Sequence, residues 1–197
     1  MKSKIHEHQK NILKMVSKKI VVLLFFICIF GCNNNDDKPS TPKTELEKLP
    51  PETQSGANTA GCLVNGVAFL PKGFIPGVNP ISYQDGLNFS LFIGEGNNDL
   101  LKSIGVFIGN QSLQVGSIYD HGQNNNNQNS KYGIYSINAV PPPSSDYYTT
   151  TSTIIGELKI THHDFNNAIL SGTFWFDAIN SNGEIIEVRE GRFDRHY

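Results

Sequence analysis

Cysteine is scarce in this chain: three in 197 residues, at 28, 32 and 62, with no Cys-x-x-Cys pair. That excludes a disulfide-stapled scaffold, a zinc ribbon and a dithiol redox centre. Sustained apolar spacing at the 3.6-residue period is missing as well, which excludes a helical bundle. There is no Gly-x-Ser-x-Gly elbow, no His-Glu-x-x-His and no Walker loop, so the commonest hydrolase and nucleotide-binding signatures are absent. An enzyme is not thereby excluded, because the carboxylates of glycosidases come from distant strands. Apolar runs are short. The longest, Ile20–Phe30, has eleven residues, against roughly 20 for a bilayer-spanning helix.

What the first residues do contain is basic charge. Lys2, Lys4, Lys10, Lys14, Lys18 and Lys19 precede the apolar run, with Glu7 the one acid before residue 32. About 7–15 apolar residues behind a basic region is the build of a signal-peptide core. The box that follows, Ile29-Phe30-Gly31-Cys32, resembles the lipobox of bacterial lipoproteins, although Phe30 is bulkier than the usual residue there. The resemblance implies that residues 1–31 are a signal peptide and that Cys32 becomes the lipidated first residue. Diacylglycerol on its thiol and a palmitate-type chain on its amine would anchor it, at about 0.8 kcal/mol per buried methylene. The expected location is the outer membrane, lipid-anchored, with cell-surface and periplasmic orientations both open. The signal is already complete from Met15, so translation is expected to start there and not at Met1.

Six lysines and Glu7 leave with the signal, so residues 32–197 keep ten basic residues against seventeen acidic, a net of −7. A chain that acidic, without a basic patch, is not expected to bind nucleic acid. Cys28 leaves too and Cys32 carries lipid, so Cys62 is the one thiol left. Residues 32–57 read as the lipidated Cys and a flexible linker: Asn33–Asp37 and Lys38 are polar, and Pro39, Pro42, Pro50 and Pro51 disfavour regular structure. The Asn-Asn-Asn-Asp-Asp stretch resembles the export signals of surface lipoproteins in the Bacteroidota; a plain solvated linker explains it equally well.

Residues 58–197 change character to short apolar alternations punctuated by Gly, Asn and Pro. Asn65-Gly66 between Cys62–Val64 and Val67–Phe69 predicts a hairpin, because Asn-Gly supplies the positive φ of a type I′ turn. Asn88–Ile93, Ser103–Ile108, Leu113–Tyr119, Lys131–Ile137 and Thr150–His162 read as further strands. Ile169–Ile179 and Glu184–Phe193 close the chain around an Asn180–Gly183 turn. Gln123–Ser130 is a polar low-complexity loop and Pro141–Asp146 an extended connector. The expected fold is all-β, a single antiparallel β-sandwich or barrel-like domain. The block Leu49-Pro-Pro…Gly61-Cys-Leu-Val-Asn-Gly66, with Ser171–Phe174 and Gly191–Asp194, resembles an uncharacterised lipoprotein family of the Bacteroidota over residues 49–197. Ala60 departs from it, an aromatic being usual before the Gly-Cys pair. The resemblance implies a β-rich domain and brings no catalytic residues.

Four clusters are candidates for chemistry. His162-His163-Asp164 is the most metal-like, but neighbours on a strand point to opposite faces, and no zinc spacing is present. Strand parity puts Ile154, Leu158, Ile160 and His162 inward, with Glu157, Lys159, Thr161 and His163 outward. Asp177, Asn180, Asn182 and Glu184 faintly resemble a calcium loop but lack its alternate acids, and a hairpin turn explains them. Asp120-His121 has the groups for acid–base work without a nucleophile beside it. Tyr119, Tyr132, Tyr135, Tyr147, Tyr148 and Trp175 are the material for a binding surface, since aromatic faces stack on sugars or peptides. Of these, Tyr147 and Tyr148 beside the proline-rich connector are least accounted for by core packing and are the expected ligand-binding residues. The expectation is a non-enzymatic, membrane-tethered binding or assembly module of the cell envelope, with glycan or protein as partner, no cofactor and no metal. The alternatives are a hydrolase acting on an extracellular polymer and a purely structural envelope component.

Overall fold

A computed structural model describes residues 43–72, 80–96, 100–122, 128–139 and 145–197. The signal peptide, Met15, Cys32, the first part of the linker, most of the Asn-rich loop and the prolines at 141–143 lie outside the described residues.

Eleven strands are present among them: β1 (Thr59–Val64), β2 (Val67–Phe69), β3 (Ile81–Gln84), β4 (Asn88–Gly96), β5 (Leu100–Gly109), β6 (Ile118–His121), β7 (Lys131–Ala139), β8 (Ser145–Thr149), β9 (Gly156–Asp164), β10 (Ile169–Ile179) and β11 (Ile185–His196). All pair antiparallel in one sheet that does not close, in the order β2-β1-β11-β10-β8-β7-β5-β4-β3. Strand β10 is the joint. Residues Ile169–Phe176 pair with β9, which pairs in turn with β6, whereas Ile179 alone bonds across to Thr149 of β8. The two arms that meet there fold face to face, as the all-β sandwich expectation required. Phe89 of β4 lies 5.8 Å from Phe193 of β11, and Phe69 of β2 lies 6.2 Å from Tyr135 of β7.

The alternation in the sequence drives this packing. In β10, Phe174, Phe176 and Ala178 are buried and Thr173, Trp175 and Asp177 are not. Leu91, Ile93, Ile104 and Val106 face them from the other arm, all fully buried. At roughly 1.5–3 kcal/mol for each large apolar side chain removed from water, this core is the main stabilising contribution. Cys62 is part of it, and burial pushes its thiol up to about 12. Gly133 and Gly156 let the Phe176 ring and backbone sit directly against β7 and β9; a methyl group at Gly133 would lie 2.7 Å from that ring.

Both expected hairpin turns form: Asn65 and Gly66 have φ of 48° and 79°, and Gly183 has 84°. Elsewhere the structure corrects the sequence. Residues 43–57 are not a free linker. Leu49 is buried, Glu45 accepts the Ala68 N–H, and residues 53–57 wrap the side chain of Asp194. Leu113–Ser117 is no strand, because the Leu113 and Gln114 N–H groups donate to the Tyr83 and Tyr119 hydroxyls and Gly116 turns at φ 84°. Thr150–Ile155 is likewise a turn, closed by the Thr151 N–H donating to the Ile154 carbonyl. Ser145 and Asp146, expected in a connector, begin β8.

Candidate functional site

The outer face of the β4-β5-β7-β8 arm carries a strip of aromatic rings. Register sets it: Phe92 is opposite Gly105, Phe107 opposite Tyr132, and Ser136 opposite Tyr147, all pointing away from the core. Phe92 meets Phe107 edge-on at 5.1 Å, and Phe107 stacks on Tyr132 at 4.5 Å with ring planes 18° apart. Tyr147, one strand further, is 47% exposed. Burial, then the nearby Tyr147 phenol, raises the Tyr132 hydroxyl above its ordinary value. Ser103 and Ser136 share a 2.8 Å hydrogen bond on the same face. The result is an apolar patch of half-buried rings on the outer face, with Tyr147 exposed on the adjoining strand, suited to stacking against a ring or a chain.

Tyr148 does not join it. Adjacent strand residues face opposite ways, and Tyr148 points inward: it is buried, packs 5.9 Å from Tyr135 and donates to Glu184 over 3.3 Å. The expected Tyr147–Tyr148 pair is therefore one surface residue and one core residue. Tyr119 and Tyr135 are core residues as well. Phe92 and Phe107 were missed by sequence reasoning; their signal was the outward phase of two strands whose inward phase had been read.

The second surface lies on the outer face of the other arm, around Trp175. Here β10 and β11 lose register between Phe174 and Phe176, so that Arg189 and Glu190 both oppose one residue. Such a bulge re-aims side chains, and Glu190 is held at φ 55° to form it, a conformation a non-glycine residue adopts at a cost. The Arg189 guanidinium lies 5.4 Å from the Trp175 ring centroid and bonds Asp177 at 2.7 Å. The Trp175 indole N–H donates to Glu157 on β9 over 3.1 Å. A concavity of about 450 Å³ opens beside the ring, with Ile118 of β6 at one side and Glu52 at the other.

The remaining candidates resolve into structural roles. A bulge at Thr161, where His162 pairs with Ser171 but Ile160 with Gly172, reverses the parity of β9. His163, expected outward, turns in against Tyr83 and Tyr197. Its Nδ1 pairs with the Leu113 carbonyl at 3.3 Å and its Nε2 with the Tyr197 hydroxyl at 3.1 Å, which leaves neither nitrogen for a metal. Asn180 accepts the N–H groups of Asn182 and Glu184, the work of a turn. Asp120 is exposed and His121 fully buried, on opposite faces of β6, so they are no acid–base pair. Neither His121 nitrogen has a hydrogen-bond partner among the described residues, and burial, with Lys131 adding to it, lowers its pKa to about 3.

A family model described as a domain of unknown function, DUF6252, matches residues 95–195, a little over half of the chain. The match takes in Phe107, Tyr132, Tyr147, Trp175 and Arg189, together with the Ser171–Phe174 and Gly191–Asp194 motifs, and begins after the Leu49–Gly66 block. No curated protein and no solved structure matches.

Proposed function

The chain belongs to the DUF6252 family, and from that premise we propose that it is a lipid-anchored binding module of the cell envelope, acting by capture and not by catalysis. The aromatic strip Phe92–Phe107–Tyr132 with Tyr147 carries this reading. Phe92, Phe107 and Tyr132 are half-buried and Tyr147 is exposed, and the ring surface they leave open is one along which a glycan chain or an extended protein segment can lie. The Ile29–Cys32 box supports the anchor, and the outer membrane is the location it fits. Each well-placed aromatic contact contributes about 0.5–1.5 kcal/mol, so removing two should weaken capture roughly five- to 150-fold. The test is retention of the protein on insoluble polysaccharides and envelope fractions, comparing wild type with Phe107→Ala/Tyr147→Ala. Wild-type retention by the double variant, with its sheet intact by circular dichroism, would refute a binding role for this face.

A further inference from the structure

We propose that the concavity at Trp175 is a second, separate binding site, and that it takes the ring of a neutral saccharide. Most polar groups around it are already committed. Glu157 accepts the indole N–H, Arg189 is bonded to Asp177, and Glu190 pairs with Arg192 at 3.2 Å. The side chains of Glu52 and Lys159, both exposed and both lining the concavity, have no hydrogen bond or ion pair to any described residue. The site thus presents a charged acceptor, a charged donor, the Thr173 hydroxyl and an aromatic ring. A pyranose satisfies the acceptor, the donor and the ring together: one hydroxyl donates to Glu52, another accepts from Lys159, and the C–H face lies against Trp175. The charge pattern favours no ionic ligand. The three carboxylates of Glu52, Glu157 and Glu190 are nearly balanced by Lys159 and Arg189, so no net charge selects an anion or a cation. A volume near 450 Å³ falls in the range of roughly 300–1,000 Å³ typical of small-ligand sites. The bulge at Arg189–Glu190 is the construction that makes room, since it doubles one strand opposite Trp175 and spreads the side chains around the ring.

Trp175 is the single tryptophan of the chain, so its fluorescence reports on this site alone. The whole chain would be titrated with the methyl pyranosides of glucose, galactose, mannose and N-acetylglucosamine, with glycine as a zwitterion control. A saturable fluorescence change is expected with at least one pyranoside and none with glycine. Lys159→Ala and Glu52→Ala, both surface changes, should each raise the dissociation constant tenfold or more, whereas Phe107→Ala/Tyr147→Ala should leave it unchanged. The proposal is overturned if no pyranoside saturates, if glycine does so instead, or if both pocket variants bind as wild type. It is overturned equally if the signal disappears in the Phe107/Tyr147 variant, which would assign all binding to the aromatic strip.

Discussion

His121 should make the domain acid-sensitive well above the range in which its carboxylates titrate. The ring is fully buried with both nitrogens unpartnered among the described residues, and its pKa falls from 6.5 to about 3. The folded state therefore refuses a proton that the unfolded chain accepts. With a depressed folded pKa, the stability His121 allows is complete above pH 6.5 and is lost progressively as pH falls from there toward 3. Each pH unit in that window removes about 1.4 kcal/mol, so near pH 4.5 the loss approaches about 2.7 kcal/mol. For a domain of this size that lowers the melting temperature by about 5–10 °C. Urea unfolding followed by Trp175 fluorescence at about pH 7.5, 5.5 and 4.5 would read it directly. His121→Leu removes two unpaired polar atoms and the titrating group together, so it should be as stable as wild type at neutral pH or more so, with a flatter acid profile. His163, also held down chiefly by burial, contributes in the same direction but remains in both proteins and cancels. Two results would refute the reasoning. An unchanged acid slope in the variant would remove His121 as its source, and a loss of several kcal/mol at neutral pH would show that the ring is held by a hydrogen bond.

Asp194 should behave in the opposite pH range. Burial would raise its carboxyl, but bonds from Thr53, Ala57, Ser171 and Ser55 outweigh that and hold it well below the usual range. Its contribution is thus present above about pH 4 and lost below; Asp194→Ala, which strands those donors, should cost about 3 kcal/mol or more in urea unfolding at neutral pH. Cys32→Ala should abolish fatty-acid labelling and release the protein from the membrane fraction, and a variant still labelled would remove Cys32 as the anchor.

Turn chemistry and alternation made much of the fold legible. Asn65-Gly66 and Asn180–Gly183 prescribe their hairpins locally, and β10 shows its buried and exposed phases plainly in the sequence. The failures come from partners that the alternation of a segment does not reveal: side-chain hydroxyls, strand mismatches and turn bonds. Leu113–Ser117 alternates like a strand, yet hydroxyls of Tyr83 and Tyr119 take its N–H groups. The bulge that turns His163 inward is a mismatch between two strands and belongs to neither sequence alone. Trp175 stood out as an aromatic, but the groups around it come from residues 52, 157 and 189–190, which only pairing brings together. Tyr148 was misread because the connector beside it ends in a strand, and a strand separates neighbours, leaving Tyr147 at the surface and Tyr148 in the core.

The clamp on Asp194 and the pairing of β1 with β11 set an order of assembly. The Thr53–Asp194 hydrogen bond joins residues 141 apart, and closing a flexible loop of that length costs on the order of 4 kcal/mol. Locally paired strands such as β4–β5 and β10–β11 can zip before that cost is met; the β1–β2 hairpin cannot dock until the last strand exists. At about 5–20 residues per second, the hairpin waits on the order of ten seconds for its partner to be synthesised. Throughout that interval its open edge, with the apolar Leu63 and Val64, can pair with anything else that presents a strand. The same delay keeps a growing chain from completing its sheet until β11 has been made.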